Sequence, residues 1–155
     1  MWFEPDPIVH FGWLRENVAD ALFRYTNKII IHQYGNSIQT DVVQYKGRLA
    51  PSQFSETLSR YNVGLIDYPN SVENEKLCAP TKLFDYLKFG IMPVCLDSDH
   101  LLNYWFNELG VGCSLDQLIS GYPLPSKLKL IETYNDRRIR RINSLRQIRQ
   151  LMELE

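Results

Sequence analysis

Cysteine is scarce. Cys78, Cys95 and Cys113 are the three in 155 residues, far apart and without a C-x-x-C pair. That spacing excludes a disulfide framework and a zinc ribbon, and it points to a reducing, cytoplasmic setting. No apolar run approaches the length of a membrane span, and no basic start followed by an apolar stretch marks a secretory leader. Internal repeats, low-complexity tracts and the G-x-G-x-x-G dinucleotide fingerprint are also missing. The first apolar run lacks a clustered acidic pair or a hydroxyl-rich phosphate loop, which disfavours a receiver or flavodoxin-like domain.

The composition that remains is that of one ordinary globular domain, 45% apolar and 23% charged. A chain of this size buries about 70% of its unfolded surface, enough for a core without metal or disulfide staples. The net charge of -1 conceals a segregation. Residues 1 to 125 hold 9 basic and 14 acidic side chains, whereas residues 126 to 155 hold 8 basic and 4 acidic ones. An acidic front argues against nucleic acid as a partner. The basic tail would meet an anionic partner first. The closing Leu154-Glu155 resembles a cloning scar and Met1 an added start, which points to a segment of a longer protein.

Apolar runs and helical stripes alternate along the chain. Ile8 to Phe11 predict a strand ended by Gly12, and Leu14, Val18, Leu22 and Tyr25 then recur at helical spacing. Lys28 to His32 and Val42 to Tyr45 predict two further strands, Pro51 to Tyr61 a helix, and Val63 to Ile66 a fourth strand. A polar loop from Asp67 to Ala79 leads into a helix stopped by Gly90 and a strand from Met92 to Leu96. A helix with Leu101, Leu102, Trp105 and Leu109 and a short strand near Val111 complete the pattern. The fold class is therefore α/β: a Rossmann-like, doubly wound parallel sheet of about six strands with helices on both faces. Only residues 34 to 41 separate the second and third strands, so that crossover must shrink to a single turn. Residues 1–7 read as a linker, 8–125 as the domain, and 126–155 as a basic amphipathic helical tail with Ile139, Ile142, Leu145, Ile148 and Met152 on a common stripe. Such a tail could pack on protein, or lie on an anionic membrane at the inner face of the cell at about 1 kcal/mol per basic residue.

Ligands of open parallel sheets sit beyond the carboxyl strand ends, where the winding reverses. With the usual strand order that crevice lies between the first and fourth strands, lined by Gly12 and Trp13 on one side and by Asp67 and Tyr68 on the other. Pro80 opens the next helix, so the amides at Thr81 and Lys82 are free donors suited to a phosphate. Lys82 could neutralise a diphosphate, and Asp85, three residues on, could accept from ribose hydroxyls. The plain alternative is a solvated pair worth about 0.2 to 0.5 kcal/mol, and spacing alone fits both. His10 and His32, in or near strands, read as packed or hydrogen-bonded, and His100, after Ser98 and Asp99, lies at a helix cap.

"APTKLFDYLKFGIMPV", preceded by "GLIDYPNSVENEKLC", resembles the donor-binding segment of the C-terminal domain of GT-B type glycosyltransferases. "IVHFG" is similar to that family's first strand and donor loop, and "VVQYKGRL" to the strand and turn that cradle the base. Together they span residues 8 to 96 in the family's order. The resemblance implies a nucleoside diphosphate sugar as donor substrate, with no metal or other cofactor. A missing N-terminal domain would carry the acceptor site and any base, so this chain alone would bind donor without turnover. The product would be a glycan or a lipid-linked sugar, in surface polysaccharide synthesis. By the same resemblance Asp85 holds the ribose, Thr81 and Lys82 face the diphosphate, Gly12 lies beneath the phosphates with Trp13 beside it, and Arg48 and Leu49 flank the base. Eight residues before Asp85, where the family pattern has a glutamate, stands Leu77. Glu73, Asn74 or Glu75 could reach the donor sugar instead, and Arg15 is a partial counterpart of the family's basic pair after the first strand. A different class of reading is a non-catalytic interaction domain whose basic tail binds a membrane or a partner.

Overall fold

A computed structural model of the chain describes residues 5–67, 81–96 and 100–152, without the side chains of His100 and Leu101. The expectations placed on the polar loop, including Glu73, Asn74, Glu75 and Leu77, lie outside the described residues, as do those on Pro80, Ser98 and Asp99.

Six strands form one parallel sheet: β1 (Ile8–Gly12), β2 (Ile31–Gly35), β3 (Val43–Gly47), β4 (Val63–Leu65), β5 (Met92–Cys95) and β6 (Cys113–Ser114), in the order β3-β2-β1-β4-β5-β6. Helices α1 (Glu16–Ala21), α2 (Phe54–Leu58), α3 (Thr81–Lys88), α4 (His100–Leu109) and α5 (Leu115–Ile119) cover it. Burial from both sides is why Val9, Ile31, Val43, Leu65 and Val94 are apolar and hidden. The winding reverses between β1 and β4, which pair in register at Val9 and Gly64. All of this is the α/β doubly wound architecture that the sequence predicts.

The departures have local causes. The helix predicted through Tyr25 tightens into a 3-10 turn at Leu22–Tyr25, closed by Asn27 at φ 65. The second strand consequently starts at Ile31 rather than Lys28 and runs on to Gly35. The crossover from β2 to β3 has no helix: Thr40 Oγ1 accepts from the amides of Val42 at 3.2 Å and Val43 at 3.0 Å and turns the chain directly. Helix α5 carries a signal that the apolar pattern alone did not exploit. Ser114 Oγ accepts from Gln117 N at 3.2 Å while Gln117 Oε1 accepts from Ser114 N at 2.9 Å, a reciprocal cap.

The tail is a single helix, α6 (Lys127–Met152). Its first turns lean on the domain: Leu130 is buried, and Lys127 Nζ donates to Tyr61 O at 2.7 Å and Gly90 O at 3.5 Å. From Asn135 to Met152 every residue is exposed. The common apolar stripe does not form. Three residues of α-helix fall about 60° short of a turn, so Ile139, Ile142, Leu145 and Ile148 walk about half-way round the helix. No helix among the described residues is long and apolar enough to cross a membrane.

Candidate functional site

The β1–α1 loop sits at the winding reversal and is held from both sides. Gly12 adopts φ +93, a left-handed turn that glycine accepts without strain. From β2, Gln33 Nε2 donates to Gly12 O at 2.9 Å. Just beyond β2, Asn36 grips Leu14 twice, accepting from its amide and donating to its carbonyl, both at 2.8 Å. From the end of β4, Asp67 accepts from the Arg15 amide at 3.0 Å and from Arg15 Nε at 2.8 Å, and its carboxylate also pairs with the outer guanidinium nitrogen. The Asp67 side chain is 1% exposed, so its charge is committed to this clamp. Arg15, the partial counterpart of the family's basic pair, is thereby a loop anchor.

Lys82 rises from the first turn of α3 beneath that loop. Its Nζ lies 3.2 Å from Nε2 of the fully buried His10, and a Cβ on Gly12 would stand 3.3 Å from Lys82 Cε and Nζ. An ammonium only donates, so Nε2 is the acceptor and Nδ1 carries the imidazole proton, which goes to Gln33 Oε1 at 2.5 Å. Gln33 then spends its amide protons on Gly12 O and on Asn36 Oδ1, at 2.9 Å each. The polarity runs one way, from Lys82 through His10 and Gln33 to the loop. Burial first, and the Lys82 charge second, lower the His10 pKa to about 3, so the ring is neutral. Burial also lowers the pKa of Lys82, opposed by Asp67 and assisted by Arg15. Two cations, one committed carboxylate and a neutral imidazole leave a positive surplus at the carboxyl edge of the sheet.

Asp85 follows one turn later and does not pair with Lys82. It stands on the outer crest of α3, and burial raises its pKa against the pull of Lys88. It rims a cleft of about 440 Å³ between α2 and α3, walled by Phe11, Pro51, Phe54 and Phe89. Phe11 packs edge-on against both Phe54 and Tyr86, with centroids 5.4 Å apart in each case. Exposed Arg48 and half-buried Leu49 lie three and two residues before Pro51, past the carboxyl end of β3. Thr81 is exposed at the start of α3, and Trp13 is 73% exposed at the loop tip.

The fold thus gathers Gly12 and Lys82 at one point, sets Asp85 beside an apolar cleft, and leaves Arg48 and Leu49 on the same sheet edge two strands away. Glu75 is outside the described residues. His10 is packed and hydrogen-bonded as the sequence suggests, but its role under Lys82 is new. The available signal was a pair of polar residues, His10 inside the apolar β1 and Gln33 opposite it in the β1–β2 register. His32 Nδ1 is hydrogen-bonded to Tyr61 Oη at 2.9 Å, so this histidine too is packed and hydrogen-bonded. Among the described residues no cluster of three His, Cys, Asp or Glu side chains could share a metal ion. No protein-family model matches the chain, and no curated protein is significantly similar to it.

Proposed function

We propose that the chain is the nucleotide-sugar donor-binding half of a GT-B type glycosyltransferase, acting with an N-terminal acceptor domain. The observation that carries this reading is the placement of Lys82 beneath Gly12 at the winding reversal, with Asp85 one turn on at the mouth of a nucleoside-sized cleft. In it the diphosphate lies over Gly12, where Lys82 has ammonium protons left after one goes to His10. The ribose hydroxyls meet the carboxylate of Asp85, and the base lies against Pro51 and Phe54, below Arg48 and Leu49.

Glycosyl transfer builds negative charge on the departing diphosphate as the glycosidic bond lengthens. A fixed ammonium and the first-turn amides of a helix stabilise that charge without reorganising. The His10–Gln33 chain holds the ammonium in place before the ligand arrives. Sugar transfer itself needs the acceptor and its activating group, which belong to the other domain.

Titration of the chain with uridine, guanosine and adenosine diphosphates, followed by NMR, tests the reading. Shifts at Gly12, Lys82 and Phe54 that vanish in Lys82→Ala are expected. A folded chain that responds to none of the three would overturn it.

A further inference from the structure

The first turn of α3 has a second flank. Beside Thr81 and Asp85, α3, α4 and α6 border an open cavity of about 640 Å³, whose wall from α6 is Arg137, Arg138, Arg140 and Arg141 and whose floor includes Phe84 and Trp105. The guanidinium of Arg137 lies over the Trp105 ring, 5.5 Å from its centroid. The other three have no carboxylate partner among the described residues. Asp85, at the rim, is the one carboxylate among the described residues that lines the space.

Four like charges within five residues of one helix repel at i,i+3 and i,i+4 spacing, and each such pair destabilises the helix. The repulsion is concentrated around a concavity. Among the described residues, one rim carboxylate leaves a surplus of three positive charges, more than a single carboxylate ligand could balance. Guanidinium forks match phosphate oxygens bidentately, and Thr81 brings the amide-rich end of α3 to the same wall. We propose that this cavity is a second anion site, which takes a ligand bearing a diphosphate, either a free one or one carried by a lipid headgroup. The site shares Asp85 and the first turn of α3 with the nucleoside reading, but Lys82 does not line it, and the arginines of α6 do not line the nucleoside cleft.

The test uses the whole chain and inorganic pyrophosphate, followed by NMR at the Trp105 indole and the α6 amides. Shifts there are expected, and Arg138→Gln combined with Arg141→Gln should weaken them at least about tenfold while the response at Gly12 persists. Silent Trp105 and α6 signals, or shifts unchanged in the double variant, would overturn the proposal even if nucleotides bind at Lys82. A second arm uses vesicles of phosphatidylcholine with and without diacylglycerol pyrophosphate, a lipid whose headgroup is a diphosphate. Pelleting with the acidic vesicles alone, lost in the double variant and displaced by pyrophosphate, assigns the headgroup as the source. A pyrophosphate response without pelleting assigns a free diphosphate. Pelleting that survives the double variant, with no pyrophosphate response, sinks the site.

Discussion

Tyr86 lies directly over Gly64: a Cβ at position 64 would stand 2.6 Å from Tyr86 Cζ, closer than real side chains approach. The glycine is what lets the ring reach across the sheet. Its hydroxyl then lies 3.1 Å from Val9 O and 2.8 Å from Leu65 O, joining β1 to β4 where the two strands diverge. The single hydroxyl proton is shared between the two carbonyls, favouring the nearer Leu65 O, and removing it takes that buried donor away. Tyr86→Phe should therefore cost about 1 to 3 kcal/mol in urea unfolding. Gly64→Ala should cost more, since the ring has nowhere to go, and its loss should come with a changed Tyr86 environment by NMR. A neutral Gly64→Ala would refute this packing.

Acid should weaken the fold through His10. Its folded pKa is about 3 against 6.5 when free, so between those values the unfolded chain binds a proton that the folded one excludes. Stability from this group is complete above pH 6.5 and falls as the pH drops toward 3, by about 2 kcal/mol at pH 5. Urea midpoints measured across this range should show the decline in the wild type. The slope should shrink in His10→Gln, which also starts about 1 to 3 kcal/mol lower at neutral pH because Gln33 and Lys82 lose their partner. Identical slopes in the two proteins would remove His10 from the network.

Gly12→Ala tests the space between the loop and Lys82. The residue sits at φ +93, where a side chain is strained by about 1 to 2 kcal/mol, and its methyl would meet Lys82 Cε and Nζ at 3.3 Å. The variant should remain folded and bind nucleoside diphosphate several-fold more weakly, with Lys82→Ala weaker still. Unchanged affinity in Gly12→Ala would detach the loop from the ligand.

The strand order was legible because fully buried parallel strands announce themselves as apolar runs, and the alternation with helical stripes fixes how they wind. Lys82 and Asp85 were legible as residues three apart on a helix that enters a strand. Their divergence was not: whether a side chain leans toward β1 or toward α2 depends on Gly12 and Gln33, which no local pattern connects to residue 82. The Arg15–Asp67 clamp joins positions 52 apart, and only the closed sheet makes them neighbours. In the tail, apolar residues every third position look like a stripe when read as a list, but on an α-helix of 3.6 residues per turn they wind around it.

Asp85→Asn should move stability and affinity in opposite directions. Burial raises the folded pKa of this carboxyl above 3.8, so in the window between the two values the folded chain keeps a proton that the unfolded chain releases. Stability therefore falls as the pH rises through that window, and above it the folded protein carries a partly desolvated charge whose only opposing influence is Lys88. Replacing the charge with a neutral amide should raise the urea midpoint slightly at neutral pH. In the donor site the same carboxylate can accept from both vicinal ribose hydroxyls, whereas an amide offers one acceptor oxygen. Followed at the Gly12 amide, the variant should bind nucleoside diphosphate about tenfold more weakly and pyrophosphate unchanged. A lower urea midpoint would show the carboxylate to be a structural partner, and equal losses for both ligands would take the ribose away from Asp85.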